Sequence, residues 1–457
     1  MSNIIDNLDN IKNIYFIGIG GSGMFPLASI LHSKGFNVSG SDNYESDTLE
    51  KVRKLGIKVF NQHKGENTIG SDLIVYSAAI KDSNPEIIYA RDHGIPTIER
   101  STMLGIIVDK YKNSIAIAGT HGKTTTTSML THILINSEKD PSAVIGGTLP
   151  SIGSNGCVGE SDIMVCEACE YVDSFLKLHP RISIIQNVEP DHLDYFKSFD
   201  NIKKSFNRFA SQTKDIVIVN GDDKMALESI NGTEVNKITY GILEKNDFSA
   251  RNIVLNDWQF ASFDLFKGEE LICKINLSIP GKHNIYNAVA AAVAAYQLGV
   301  SENDIANALH SFSGVHRRFE ILYNQNNIVV ADDFAHHPTE ISNTINTAMK
   351  MGFKRVWAIF QPHTFSRTFM FLDDFAKALS MADRVIVSEI LPVREINTYN
   401  IYAEDLVAKI PNGIYLKTFE EITDYIIKNV SQGDLVLTMG GGNIYKCANS
   451  IVEKLKK

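Results

Sequence analysis

The sequence predicts an α/β protein of three domains built on mainly parallel sheets. Three observations carry this. The chain has 457 residues, room for about three domains of roughly 150 residues each. Short apolar runs alternate with helical patterns, as in strand–helix crossovers. Glycine-rich or polar segments repeatedly follow those runs, as they do where sites form at the C-terminal edge of a parallel sheet.

The first apolar run is Ile14–Ile17, followed by GIGGSGM and a helical pattern from Phe25 to Leu31. Gly18, Gly20 and Gly23 fit GxGxxG, with Gly21 and Ser22 in the same turn. Glycines permit the tight turn and let backbone N–H groups approach a pyrophosphate at the helix N-terminus. Asp42 follows the strand Asn37–Gly40, where an acid can bind a ribose hydroxyl. Strands near Ile57–Phe60, Leu73–Tyr76 and Thr97–Ile98 continue the alternation, and Ser77 is a further candidate contact. This predicts a Rossmann-like domain over residues 1–112, an unrelated glycine-rich turn being the alternative.

The second unit, 113–320, starts with strand Ile115–Ala118, which enters GTHGKTTTT and a helix from about Thr124 to Asn136. Gly119, Thr120, His121 and Gly122 form the candidate phosphate cradle, with Thr125 beside it. Lys123 can meet the β/γ-phosphates and the Thr124 hydroxyl can ligate Mg²⁺. The strict GxxxxGK[ST] pattern fails, because Ile117 stands where its first Gly belongs. Strand Asp162–Cys166 runs into Glu167, and strand Ile182–Val188 into Glu189, Asp191, His192 and Asp194. A carboxylate ending a buried strand beside a P-loop suits Mg²⁺; a surface acid (Glu167), a helix cap (Asp191) and a structural imidazole (His192) are the plainer readings. GKHNIYNAVAAAVAAYQLG starts a helix at about Asn284 and ends it at Gly299. His283, Asn284 and Asn287 crowd its start, through capping, contact with ATP, or both. GVHRRFE closes this unit.

In the third unit, 321–457, strand Ile328–Ala331 leads to DDFAHHPTE, Arg355–Phe360 to QPHTFSRT, Arg384–Ser388 to EILPVRE and Leu435–Thr438 to MGGGNIYK. Pro338 biases His337 away from helix.

Composition narrows the function. Lys and Arg number 44 against 53 Asp and Glu, a net charge of −9 with no long basic run, which argues against nucleic acid. The opening MSNIIDNLDN, with Asp6 and Asp9, lacks a signal pattern. The uncharged stretch Asn284–Ser301 is too polar to span a membrane. A cytoplasmic location without membrane insertion is expected. Of five cysteines, Cys166 and Cys169 form a CxxC without a second pair at zinc spacing; a buried strand end and a loop explain them better. A dehydrogenase would leave the P-loop idle, and a simple GTPase would leave the first motif idle. A ligase employs all three units: one for a nucleotide-linked acid, one for Mg·ATP, one for a nucleophile.

GIGGSGM, GTHGKTTTT, EACEYVDSF, NVEPDHLDYF, GKHN, RRFE, DDFAHHPTE and FQPHTFSRT, in this order, resemble the Mur ligase family, most closely its alanine-adding branch. The resemblance implies a Rossmann-like UDP-substrate domain, a P-loop ATPase domain and a Rossmann-like C-terminal domain. It implies UDP-N-acetylmuramate, L-alanine and ATP as substrates, Mg²⁺ at two sites, and an acyl-phosphate intermediate. Gly18, Gly20, Gly21, Ser22, Gly23, Asp42 and Ser77 then serve the UDP-substrate, and Lys123 the phosphates. Thr124, Glu167 and His192 match metal-site residues; His283 and Asn284 match ATP contacts. Arg318 and Asp333 match the pair that closes over the nucleotide, and His336 and Arg367 match residues near the amino acid. Phe334 replaces a common Tyr, Thr364 an Arg of some relatives, and Cys169 an acid. Lys203 and Lys204 give no clear match to the carbamylated lysine of sister enzymes. The alternatives are a recycling ligase that adds a tripeptide to the same UDP-sugar, and a UDP-sugar-sensing regulator without turnover. Either a monomer or a homodimer is compatible with the sequence.

Overall fold

The computed structural model describes residues 8–393 and 395–457. Asp6 lies outside them, and so do the side chains of Asp9 and Asp194.

Three sheets make up the α/β architecture. The first holds β1 (Asn13–Ile17), β2 (Asn37–Ser41), β3 (Lys58–Phe60), β4 (Leu73–Tyr76) and β5 (Thr97–Glu99) in the order β3-β2-β1-β4-β5. Every pairing is parallel. Ile14, Tyr15, Phe16 and Ile17 are fully buried, as expected of a strand covered on both faces. Strand order reverses between β1 and β4, the crevice where such sheets bind ligands.

The second sheet comprises β6 (Asn113–Ala118), β7 (Ser142–Leu149), β8 (Ser154–Cys157), β9 (Ile163–Glu167), β10 (Ile182–Ile185), β11 (Ile216–Asn220), β12 (Asn236–Gly241), β13 (Phe248–Leu255), β14 (Phe260–Lys267) and β15 (Glu270–Pro280). Its order is β15-β14-β13-β12-β11-β10-β6-β9-β7-β8. From β12 to β7 neighbouring strands are parallel, and β8 turns back antiparallel on β7. The third sheet comprises β16 (Glu320–Gln325), β17 (Ile328–Asp333), β18 (Arg355–Phe360), β19 (Arg384–Val387), β20 (Gly413–Tyr415) and β21 (Asp434–Met439), ordered β16-β17-β21-β18-β19-β20. It is parallel except for β16.

The chain divides into two compact units. One comprises Met1–Arg251, Leu265–Cys273 and Tyr286–Leu309; the other comprises Asn252–Asp264, Lys274–Ile285 and His310–Lys457.

Several boundaries differ from expectation by one or more residues. The strand expected over Ile182–Val188 stops at Ile185, because Asn187 leaves the sheet to bond the P-loop: its carbonyl takes Thr120 N–H at 3.0 Å and its Oδ1 takes His121 N–H at 2.7 Å. The P-loop helix starts at Lys123, one residue early, and the alanine-rich helix runs His283–Gln297. No helix among the described residues is long and apolar enough to cross a membrane.

Candidate functional site

In the first unit the P-loop leaves β6 between two parallel neighbours, β9 and β10. Gly119 and Gly122 have φ of +145° and +84°, values that favour glycine. A Cβ on Gly122 would lie 2.6 Å from Asn287 Oδ1 and 2.9 Å from Gln186 Nε2, so the turn has room for backbone only. Gln186 Nε2 bridges Thr126 Oγ1 (2.7 Å) and Asn287 Oδ1 (2.8 Å), pinning the helix's first turn. The cradle is thus braced from outside, with helix N–H groups directed at its mouth.

Lys123 opens that helix. Its ammonium donates to Gly119 O, to Thr120 O at 3.1 Å and to the buried Glu170 at 2.9 Å. Burial alone would lower its pKa, but the charge of Glu170, followed by Cys169, the Glu170 hydrogen bond and Glu167, raises it instead. The lysine stays charged where a phosphate would meet it.

Glu167 ends β9 opposite Ile117 of β6, so it lies level with the start of the P-loop. Its Oε1 accepts Gly146 N–H at 2.5 Å, which orients the carboxylate and leaves lone pairs for a cation. Thr124 is nearly buried in the first helical turn. His192 has φ +52° at the start of the short helix Leu193–Phe196; its N–H donates to Asp191 Oδ1 at 2.8 Å and its ring packs on Tyr171 at 4.6 Å. The Thr124 hydroxyl and the Glu167 carboxylate are the kind of oxygen ligand Mg²⁺ takes, whereas the His192 imidazole offers a nitrogen. The CxxC separates into a buried Cys166, whose thiol burial pushes up to about 12, and an exposed Cys169.

The GIGGSGM turn lies at the switch point of the first sheet. Gly18 has φ +80°, and Gly20 N–H donates to Asp42 Oδ2 at 3.0 Å. Asp42 Oδ1 takes Tyr44 N–H at 3.2 Å, so the predicted ribose acid also ties the turn to the end of β2. Gly21 N–H closes the turn on Gly18 O at 3.0 Å. Ser22 O accepts from Asn155 Nδ2, and Ser77 Oγ accepts Ala79 N–H at 3.3 Å. A Cβ on Gly23 would meet Arg100 at 3.1 Å, which brings an unforeseen cation to the helix N-terminus.

In the second unit β17 ends at Asp333. Its oxygens take Ala335 N–H at 2.7 Å and Phe319 N–H at 2.8 Å. Burial raises its carboxyl to about 6, against the pull of the Arg318 charge and those two N–H groups. Arg318 stands 5.1 Å from the Phe334 ring. His336 and His337 separate cleanly. His337 caps the helix Pro338–Met349 in a capping box with Glu340. His336 Nδ1 lies 2.9 Å from Phe334 O, which can only accept, so the proton sits on Nδ1 and Nε2 keeps its lone pair. His363 packs 5.7 Å away, ring to ring. Burial lowers the pKa of both imidazoles to about 4. Arg367 lies on the helix Phe365–Met370, its N–H 3.4 Å from Thr364 Oγ1, and its charge acts on both imidazoles. Asn284, at the head of its helix, donates through Nδ2 to Pro280 O at 2.7 Å, beside an exposed His283.

Three family models match in order: the Mur ligase family catalytic domain over residues 13–112, the Mur ligase middle domain over 117–295 and the Mur ligase glutamate ligase domain over 317–442. A curated UDP-N-acetylmuramate–L-alanine ligase of Caldanaerobacter subterraneus subsp. tengcongensis is 45% identical, covering 99% of both chains. The chain belongs to the Mur ligase family. A second curated UDP-N-acetylmuramate–L-alanine ligase, from Acetivibrio thermocellus, is 46% identical over 96% of this chain and 95% of the relative. Among solved structures, the UDP-N-acetylmuramate–alanine ligase of Thermotoga maritima aligns with a TM-score of 0.81 at 30% identity, covering 98% of this chain and 99% of that one. A murein peptide ligase of Psychrobacter arcticus aligns at 0.74 and 26%, covering 97% and 98%.

Sequence reasoning on this Mur ligase missed Glu170, Gln186, Asn187, Arg100, Arg317 and His363 as organisers of the candidate sites. Glu170 stood inside the quoted EACE, three residues from Glu167, but spacing alone does not say which acid faces the lysine. Lys203 pairs with Asp200 at 3.3 Å and Glu228 at 3.6 Å.

Proposed function

We propose that this Mur ligase joins L-alanine to the carboxylate of UDP-N-acetylmuramate with ATP, releasing ADP and phosphate. The observation that carries the reading is the braced P-loop: a charged Lys123, a glycine cradle closed to side chains, and Glu167 level with it on the adjacent strand. The names of its nearly full-length relatives supply the substrates. Gly18–Gly23, Asp42 and Ser77 hold the UDP moiety. The muramate carboxylate attacks the γ-phosphorus and ADP leaves; the alanine amine then attacks the acyl carbon and phosphate leaves. Lys123 and the cradle N–H groups neutralise charge developing on the transferred phosphoryl. Thr124, Glu167 and His192 would hold Mg²⁺, at two sites, and bound Mg²⁺ would add further charge neutralisation. His283, Asn284, Arg318 and Asp333 serve the nucleotide. Arg367 pairs with the alanine carboxylate. His336, neutral and with a free Nε2 lone pair, accepts from the amine and orients it; a pKa near 4 makes it a weak base. Domain limits of 1–112, 113–320 and 321–457 are proposed; sheets spanning 13–99, 113–280 and 320–439 support three domains, with Glu320 already in the third sheet.

The test is kcat/KM on UDP-N-acetylmuramate for L-alanine, glycine, L-serine and the L-Ala-γ-D-Glu-diamino-acid tripeptide, with phosphate release as readout. L-alanine should lead, glycine following within a factor of about 10–200, the worth of one methyl in an apolar pocket. Preference for the tripeptide would move the protein to the recycling branch. Absence of phosphate release with every nucleophile would favour a sensor.

A further inference from the structure

Of the two adjacent arginines in GVHRRFE, Arg318 has a proposed role at the nucleotide and Arg317 has none. Yet Arg317 is the more deeply engaged. Its Nε donates to Asp332 Oδ2 at 2.8 Å, one terminal nitrogen to Gly442 O at 2.7 Å and the other to Gly440 O at 2.8 Å. The guanidinium also faces two rings, Phe334 at 5.1 Å and Tyr445 at 4.9 Å. Asp332 is 1% exposed and its second oxygen takes the Thr438 hydroxyl. The backbone at Arg317 has φ +62°, a conformation an L-residue holds only when its surroundings over-determine it. Here they do: Arg317 N–H donates to Glu320 Oε2 at 2.9 Å and its carbonyl accepts Phe334 N–H at 2.7 Å.

The loop that Arg317 grips lies against the two imidazoles. A Cβ on Gly441 would fall 3.2 Å from His336 Cγ and 3.4 Å from His363 Cδ2. The far side of the loop is equally closed, since a Cβ on Gly442 would come within 2.3 Å of Leu391 Cδ2. Asn443 then locks onto Gln361 through bonds of 3.0 and 3.1 Å. The loop therefore has one seat, and His336 and His363 rest on its bare backbone.

We propose that Arg317 is a positioning residue, and that the Gly440–Gly442 loop it holds is the wall that limits the size of the amino acid accepted beside His336 and His363. This rests on the amino-acid role proposed for His336 and Arg367. Two carbonyls and a carboxylate are gripped at once by a planar fork, a geometry that a lysine ammonium cannot reproduce. Loosening the loop lets the imidazoles recede and widens the pocket. Adding a methyl at Gly441 pushes them forward by a few tenths of an ångström and narrows it.

The experiment uses the full chain and the variants Arg317→Ala, Arg317→Lys and Gly441→Ala, with glycine, L-alanine and L-serine as nucleophiles. For Arg317→Ala the alanine KM should rise about tenfold or more, the ATP KM should stay within about twofold, and the alanine-over-serine preference should fall. Arg317→Lys should recover only part of this. Gly441→Ala, a single methyl that leaves the Arg317 grip intact, should keep the wild-type Tm and raise the glycine-to-alanine ratio of kcat/KM about fivefold. A uniform drop in kcat with unchanged KM values and ratios would make Arg317 merely structural and overturn the proposal. So would a Gly441→Ala enzyme with wild-type selectivity. If the wild-type chain uses no free amino acid, the proposed reaction has failed, and histidine NMR decides the positioning claim separately. Arg317→Ala should then move the His336 and His363 titrations back toward ordinary imidazole values; unchanged titrations overturn it.

Discussion

Replacing Lys123 by alanine removes two things that can be measured apart. The first is structural. Glu170 is buried and lies 2.9 Å from the ammonium, with side-chain exposures of 5% and 15% for acid and lysine. Removing one member of such a pair leaves an uncompensated charge, which costs about 3–5 kcal/mol, with the lower end expected here because the lysine side is partly solvated. The second is catalytic. Losing a principal charge at a transferring phosphoryl group costs on the order of a hundredfold or more in turnover, about 2.7–4 kcal/mol. Lys123→Ala should therefore be both less stable in urea and nearly inactive in phosphate release. Adding Glu170→Gln removes the orphaned charge while keeping an acceptor. The double variant should regain most of the lost stability and none of the lost turnover. Recovery of turnover to within about tenfold of wild type in the double variant would mean that Lys123 is a structural cation and that the phosphate assignment is wrong. A Lys123→Ala protein as stable as wild type would show that the Lys123–Glu170 pair contributes nothing to folding.

Gly122→Ala forces a left-handed φ on an L-residue and drives a methyl into Asn287 and Gln186; ATP affinity should fall, with a stability loss of about 1–3 kcal/mol by urea titration. Glu167→Ala should raise the Mg²⁺ concentration needed for half-maximal activity, and unchanged Mg²⁺ dependence would remove it from the metal site. Arg367→Ala should raise the KM for L-alanine far more than that for ATP, and the reverse order would place this arginine at the nucleotide. Stability should also depend on pH with a defined sign. His336 and His363 titrate near 4 in the fold against 6.5 ordinarily, so their contribution is full above 6.5 and is lost as pH falls through 4. Asp333 runs the other way: raised to about 6 from 3.8, its contribution is full below 3.8 and lost as pH rises through 6. Two imidazoles outweigh one carboxyl, so the urea midpoint should drop between pH 6.5 and 4, less steeply in His363→Asn; a midpoint that rises over this range would contradict the burial of the two rings.

Much of the fold was legible because parallel strands covered on both faces read as continuous apolar runs: the expected IYFI and IAIA each lie inside a strand that starts one or two residues earlier. The strands β13 to β15, at one end of the second sheet, were harder to see. FASFDLFK alternates buried and half-buried residues, and no glycine-rich or catalytic segment follows it to draw the eye. The end of β10 was misplaced because Val188 is apolar again, although the polar Gln186 and Asn187 before it already lie outside the strand and Asn187 bonds the P-loop. Pro338 biased His337 away from helix, and His337 lies just outside the helix as its cap. Arg317 and Arg318 were inseparable by sequence. A left-handed φ at Arg317, invisible in composition or spacing, sends the first side chain to Asp332 and the glycine loop.

The acidic net charge of −9 and the anionic substrates are reconciled by how these cations are kept. Lys123 is paired with Glu170 and Arg317 with Asp332, while Arg318 acts on Asp333. Each cation carries its own neutralising acid, so burying it does not require a phosphate to be present. On the proposed reading, a phosphate arriving at Lys123 would share or displace the Glu170 contact, weakening ground-state binding. In return the ammonium would already be charged and ordered before charge develops on the transferred group, which is the condition under which electrostatic stabilisation acts on the transition state rather than on binding. The Arg317 pair differs because its terminal nitrogens are spent on Gly440 and Gly442 carbonyls, leaving that cation to shape a wall rather than to meet a substrate. Removing only the acid at Lys123 therefore should tighten nucleotide binding and slow turnover. Glu170→Gln is expected to lower the Kd for ATP by calorimetry while kcat falls. Looser binding with unchanged kcat would mean that Glu170 positions the lysine without competing for it.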